Sequence, residues 1–339
     1  MKAGDKAQKR HETDEKGRRK NAAKRARALA DKKAHSMPVV APPDGPKKER
    51  FVDAELVSPA PRGGILEVFQ QRYLLRLIVG RELAQLYAAS LLGLLWSYIQ
   101  PALRFTVYYF VFGVVIQAHR DMPNFAIHLF CGIVFVHYFS ETWSGGTRSI
   151  WANRNLVLKM RVPREIFPIA SMVVAFYHTG PQILVLAIAS VVVGWHFSFA
   201  GVGAAVLGLA ILIAFAMSMA LIFAALNVYF RDFQNIVTTI TQFLHFMVPM
   251  MYPFSLVREQ SVNHPWVYEL YMANPLAEAV LLMQKFFWAG TVDDQSKIAD
   301  EFPPDLWERG LIMLGVCLVL LRLAQKLFSR LESKFPERL

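Results

Sequence analysis

The stretch RSIWANRNLVLKMRVPREIFP, Arg148 to Pro168, decides how this chain is read. Arg148, Arg154, Lys159, Arg161 and Arg164 make it a basic island, with Glu165 as its one acid. Its apolar residues Ile150, Val157, Met160 and Val162 are unevenly spaced, which excludes a strand, and Pro163 divides it. The flanking apolar runs, 125–146 and 166–196, both reach the length of about 20 residues that a helix needs to cross a bilayer. Basic charge between two such runs is the mark of a cytoplasmic loop. The island is therefore expected to be such a loop carrying a short helix.

The rest of the chain fits a membrane protein. Of 339 residues 54% are hydrophobic, yet the net charge is +11 and the mean hydropathy is +0.30. Apolar bulk together with strong basicity implies that the charge lies outside the spans. The two cysteines, Cys131 and Cys317, sit inside apolar runs, which argues against a disulfide framework or a metal site.

Working outward, residues 1–62 are rich in Lys, Arg and Ala and then in Pro. Their scant apolar content predicts a disordered basic tail, either solvated or drawn to anionic lipid headgroups. No folded reader accompanies the charge, so nucleic acid is not an expected partner. Residues 63–93 form the next unit. Leu66, Phe69, Tyr73, Leu74, Leu77 and Ile78 recur at three- and four-residue steps among Arg72, Arg76 and Arg81, the pattern of an amphipathic interface helix.

Residues 94–330 divide into six expected spans, 96–117, 125–146, 166–196, 199–229, 236–254 and 307–327, followed by a cytoplasmic tail at 331–339. The fold class is thus all-α integral membrane protein. Residues 255–306 are rich in acids and include the apolar but Asn274-Pro275-interrupted YMANPLAEAVLLMQKFFWAG, expected to be a re-entrant or interfacial element on the outer side. Six spans put the basic tail, the island, the Arg231-Asp232 turn and the basic C-terminus together on the cytoplasmic side.

No G-x-x-x-x-G-K-[ST] loop occurs, and there is no H-E-x-x-H, Cys/His ligand spacing or G-x-S-x-G. The chain is not expected to be an enzyme. His128, His137 and His178 fall in spans and are read as helix-to-helix hydrogen bonders. Arg104 and Glu141 both lie about 10 Å inside the cytoplasmic ends of neighbouring spans at 1.5 Å per residue. A charge at that depth needs a partner or water. Three readings stay open: an Arg104–Glu141 ion pair, Arg104 facing an anionic substrate group, or Arg104 snorkelling to the interface. Aromatics crowd the first two spans. Tyr108, Tyr109, Tyr138, Phe139 and Trp143 either line a sugar-passing channel or pack the bundle.

Four segments resemble one family. LGLLWSYIQPALR (Leu92 to Arg104) is similar to the opening of ABC-2-type polysaccharide-export permeases, with Gln100 where members often carry Asn. NVYFRDFQN (Asn227 to Asn235) resembles the turn between their fourth and fifth spans. MYPFS with ANPLAEAV (Ala273 to Val280) resembles their external segment, and LVLKMRVPREIFPIAS their cytoplasmic coupling loop. The matches cover about residues 70–325.

The resemblance implies a homodimeric channel for a lipid-linked polysaccharide in the bacterial cytoplasmic membrane, with both termini cytoplasmic. Two separate ATPase subunits bind ATP and Mg, and this chain carries no cofactor of its own. Actinobacterial galactan is the substrate best suited to the wording of the island and the tail. Arg154, Leu158, Lys159, Met160, Arg161, Val162, Pro163, Arg164, Glu165, Arg231 and Asp232 then couple to the ATPase. Arg104, Tyr108, Tyr109, Tyr138, Phe139, Glu141 and Trp143 line the channel, and Asn274, Pro275, Phe286 and Phe287 form an external gate. Charge reversal at Arg161 or Arg164 is expected to uncouple export. The rival readings are a membrane enzyme acting on lipid-linked sugars and an exporter of lipids or drugs.

Overall fold

A computed structural model describes residues 64–87, 93–118, 122–160 and 162–339. The expected tail, the turn residues 119–121, Arg161, and the side chains of Leu66 and Phe69 lie outside the described residues. Those described are helical, and no strand occurs among them.

The interface segment forms two helices, α1 (Gly64–Gln70) and α2 (Arg72–Tyr87), separated at Gln71. Ile78 and Val79 of α2 are buried, whereas Tyr73, Leu77 and Leu86 are exposed. Helix α3 (Trp96–Tyr108) continues as a π-helical turn over Tyr109–Val115. Pro101 sits in the second turn of α3 and has no N–H to give the Ser97 carbonyl, which instead faces Gln182 Nε2 at 3.5 Å.

Among the described residues, four helices are long and apolar enough to cross a membrane. They are α4 (Phe125–Ala152), α6 (Ile166–Val192), α7 (Phe199–Tyr229) and α12 (Leu306–Leu331). At 1.5 Å per residue each reaches about 40 Å, beyond the roughly 30 Å hydrocarbon layer. The expected first and fifth spans are lesser elements. The fifth is α8 (Asp232–Phe243) with a 3-10 turn at Leu244–Phe246, so it begins before and ends sooner than the 236–254 span expected. Helix α6 runs on through Pro181 and ends where Gly194 takes φ +103°, a conformation open to glycine.

Helix α4 packs along α6 and α7, and α7 packs along α11 (Pro275–Phe287) and α12. Small residues set the α4–α7 distance: a Cβ on Gly146 would come within 2.5 Å of the Ala220 Cβ. Exposed Tyr177, Leu184, Ile188 and Val192 recur at steps of seven, four and four residues along α6, a stripe suited to lipid. The acid-rich segment carries α9 (Phe254–Gln260), α10 (Pro265–Met272) and α11. Asn274 caps α11, its Oδ1 accepting from Leu276 N at 3.0 Å, and Pro275 takes the first helical position.

Two further segments differ from expectation. Helix α4 overruns the expected span by six residues, because nothing breaks it before its C-cap at Asn153, so the island's first turn belongs to α4. The expected short helix follows as α5 (Arg154–Lys159). The C-terminus is not a free tail: it folds into a 3-10 turn at Glu332–Lys334 and helix α13 (Phe335–Arg338). The fully buried Phe335 meets Phe328 edge-on at 5.6 Å, which anchors it. Around the island a second apolar core forms. Val68, Ile78, Ile150, Val157, Val162, Phe167, Val228 and Phe335 bring α1, α2, α4, α5, α6, α7 and α13 to one place.

Candidate functional site

Polar side chains inside an apolar bundle must be satisfied there, and the largest group of them surrounds Glu141. A cleft of about 570 Å³ opens between α3, α4 and α8. Gln100 and Arg104 line it from α3, His137, Ser140, Glu141, Ser144 and Arg148 from α4, and Thr238, Thr241 and Gln242 from α8. Helix α8 supplies a continuous polar stripe, since Gln234, Asn235, Thr238, Thr239, Thr241 and Gln242 recur on one side while Val237, Ile240 and Leu244 occupy the other. Two smaller clefts, of about 280 and 220 Å³, lie beneath the interface helix, and Glu141 lines both of these as well.

Arg104 and Glu141 do not pair with one another. The Arg104 Nη1 lies 2.6 Å from His245 Nε2. A guanidinium only donates, so that imidazole nitrogen is the unprotonated one. Glu141 instead accepts from His178 Nδ1 of α6, with His137 Nε2 at 3.5 Å on its other oxygen. His178 Nε2 is hydrogen-bonded to the Tyr87 hydroxyl at the end of α2, and that hydroxyl is also 3.1 Å from Ser97 Oγ. A phenol–imidazole–carboxylate chain thus links α2, α3, α6 and α4 at the wall shared by all three clefts. The pairing expected from equal depth fails because α6 presents His178 to Glu141 and the segment after α8 presents His245 to Arg104.

The aromatic residues divide. Tyr108 lines the main cleft, and Tyr109 is partly exposed, with its ring centroid 5.7 Å from that of Phe105 in a stacked pair. Tyr138, Phe139 and Trp143 are buried inside the bundle. Phe139 stacks on Phe215 at 4.9 Å, and Trp143 meets Phe223 at 5.1 Å. These three are placed as packing, not as cleft lining. Of the expected outer gate, Phe287 packs at 6.1 Å from Phe135, and Trp195 Nε1 donates to Phe286 O at 2.8 Å. Asn274 Nδ2 also donates to Met247 O at 3.1 Å, tying α11 to the end of α8.

At the opposite end the island also divides. Arg154, Leu158, Lys159 and Met160 are exposed on α5, whereas Val162, Pro163, Arg164 and Glu165 are buried. Arg164 Nη1 donates to the Glu332 carbonyl and its guanidinium lies 5.7 Å from the Phe335 ring. Glu165 Oε1 accepts from Gln325 Nε2 at 2.7 Å. Arg164 and Glu165 therefore hold the C-terminal segment and are not part of an exposed docking surface. The Arg231-Asp232 turn is closed by backbone bonds, from Phe233 N to Phe230 O and from Gln234 N to Arg231 O, both 3.3 Å. The Arg231 side chain leaves the turn and stacks on Trp151, 3.7 Å from the ring centroid.

Sequence reasoning missed Tyr87, Trp151, Asn153 and His245. His178 was read as a helix-to-helix hydrogen bonder, and that is where the structure puts it. Asn153 is buried between Ser149, Arg81 and Glu82. Burial pushes the Glu82 carboxyl above its ordinary pKa, with Asn153, Arg81 and Arg148 acting against the shift. An Asn immediately after a long apolar helix was the one available signal, as a C-cap.

Bundle and clefts together define a polytopic helical membrane protein with a polar, ionisable path inside it. Residues 73–288 match the family described as "ABC-2 type transporter". The chain belongs to that family. It is 30% identical to the O-antigen export system permease protein RfbA of Myxococcus xanthus, over 80% of this chain and 98% of the relative. A Klebsiella pneumoniae protein of the same description is 26% identical over 78% of this chain and 94% of its own length. The polysialic acid transport protein KpsM of Escherichia coli is 24% identical over 63% and 81%.

Proposed function

We propose that this chain is the membrane subunit of an ATP-driven exporter of a polysaccharide carried on a polyprenyl pyrophosphate, with cell-wall galactan as the glycan. The main cleft carries the proposal: cationic Arg104 and Arg148, the Glu141 carboxylate and the amide and hydroxyl stripe of α8 face one opening. Cations and donors of that kind suit phosphate, and amides and hydroxyls suit sugar hydroxyl groups. The names of the relatives support the polymer over a drug or a simple lipid.

In this reading Trp96–Val115 and the Asp232–Phe246 segment complete six spans, with both termini in the cytoplasm of the bacterial inner membrane. Two copies pair to close the path, and two separate ATPase subunits, which bind ATP and Mg, dock beneath. The chain hydrolyses nothing itself. The exposed Leu158, Lys159 and Met160 of α5, with Arg154, Arg161 and the Arg231-Asp232 turn, receive the ATPase. Closure of the ATPase pair pushes on α5, and the attached helices shift as rigid bodies.

The test is depletion of the chain in its own host, followed by extraction of lipid-linked glycan. A polyprenyl-linked galactan should accumulate, and the chain with Arg104→Ala should fail to clear it. Unchanged lipid-linked glycan after depletion would refute export. Accumulation of a different sugar would refute galactan alone.

A further inference from the structure

Two side chains at the end of α4 make contacts that docking of an ATPase does not by itself require. Two guanidinium groups lie over the Trp151 ring, Arg231 at 3.7 Å and Arg154 at 5.2 Å from its centroid. Arg154 begins α5, and Arg231 is the N-cap residue of α8. Asn153, 4% exposed, spends its amide on three bonds. Its Oδ1 accepts from Arg81 Nη2 at 2.6 Å, and its Nδ2 donates to Glu82 Oε1 at 3.2 Å and to Ser149 O at 2.9 Å. Only a neutral amide suits this position, since it must accept from a cation on one side and donate to a carboxylate on the other. Helix α5 does not need either side chain to form, because Leu156 N and Val157 N bond to the backbone carbonyl of Asn153.

We infer that Trp151 and Asn153 form a mechanical joint. Trp151 fastens α5 to the α7–α8 turn, and Asn153 fastens it to the interface helix α2. A push on any one of the three therefore displaces the other two. Both are positioning residues and touch no substrate. The joint lies in the chain itself, but its purpose rests on the proposed docking of the ATPase at α5. A guanidinium over a ring is held only within about 6 Å of the centroid. Arg231 at 3.7 Å is well inside that limit, so a small relative slip of the two elements does not break the contact.

The experiment uses the full chain in lipid nanodiscs, spin-labelled on cysteines placed at the exposed Asn155 of α5, Asn235 of α8 and Arg76 of α2. Labelled copies are diluted with unlabelled ones. The two native cysteines are buried and do not compete for label. Trp151→Leu should at least double the width of the 155–235 distance distribution and leave the 76–155 distribution alone. Trp151→Phe, which keeps an aromatic face, should leave both narrow. Asn153→Asp sets a carboxylate against Glu82 and should broaden the 76–155 distribution. Adding Glu82→Gln restores a donor facing an acceptor and should narrow it again.

Unchanged widths in Trp151→Leu and Asn153→Asp, or failure of Glu82→Gln to restore the second, would overturn the joint. The same variants are assayed for export in the depleted host. Broadened distances together with full export would leave the joint standing and overturn the docking of the ATPase at α5.

Discussion

Substitution of Arg164 tests whether the basic island is one surface or two. The sequence places Arg164 among the docking cations, but its side chain is 6% exposed and spent on the C-terminal segment. It donates to the Glu332 carbonyl and sits over the Phe335 ring at 5.7 Å. Removing the donor leaves the Glu332 carbonyl with only its bond from Phe335 N and loses a hydrogen bond to a charged group, at a cost of about 1.5–3 kcal/mol. Losing the cation from a partly desolvated ring adds roughly 0.5–2 kcal/mol.

Arg164→Ala should therefore destabilise the segment from Glu332 to Arg338 by about 2–4 kcal/mol, after allowing for overlap between the two terms. At about 1.4 kcal/mol per factor of ten, local opening rises roughly 30- to 700-fold. Hydrogen–deuterium exchange of the C-terminal amides in nanodiscs reads this directly. Protection should fall there, while that of α7 in the bundle is retained. Arg164→Lys should recover part of the protection, because an ammonium can donate to the carbonyl but lacks the planar fork. Unchanged exchange at the C-terminus in Arg164→Ala would refute the assignment. The contrasting Lys159→Glu, on an exposed face, should leave exchange untouched and reduce export.

Three further outcomes follow from the packing. Tyr87→Phe deletes the hydroxyl between His178 and Ser97 and should cost about 1 kcal/mol. His178→Ala strips Glu141 of its main donor and should cost about 2–3 kcal/mol. Thermal unfolding in detergent reads both, and equal midpoints for the two variants would contradict the chain of bonds. Gly146→Leu forces a side chain into Ala220 and should lower stability by about 1–3 kcal/mol or more, whereas Gly180→Leu, with nothing within 4 Å, should not. Glu278 is fully buried on α11 and neither carboxylate oxygen has a hydrogen-bond partner among the described residues. Glu278→Met should raise the thermal midpoint, by about 1–3 kcal/mol of relieved desolvation, and a lowered midpoint would mean that the carboxyl is satisfied from outside the protomer.

How far the sequence reached depends on the range of the physics involved. Hydropathy over about 20 residues marked α4, α6, α7 and α12, and α7 spans Phe199–Tyr229 as expected. Asn274-Pro275 announced the start of α11, and the interrupted apolar spacing of the island announced the short helix α5. Each of these rests on neighbours within a few turns of the same helix: a side chain's preference for lipid, a cap, a proline without an N–H. Charge alone was not enough to divide the island, since Lys159 and Arg164 read alike in sequence.

Partners across the bundle were beyond that range. Arg104 lies 141 positions from His245, Glu141 lies 37 from His178, and Arg164 lies 168 from Glu332. Which of these meet depends on how each helix is rotated about its axis and how far its ends overrun the apolar run. The same rotation turned Tyr138, Phe139 and Trp143 inward and left Glu141, two to three positions away from each, at the wall of the clefts. On a helix, residues two positions apart point in directions about 160° apart, and residues three positions apart about 60° apart. Hydropathy cannot say which of those directions holds the cleft. Only the packing of α4 against α6, α7 and α8 decides it.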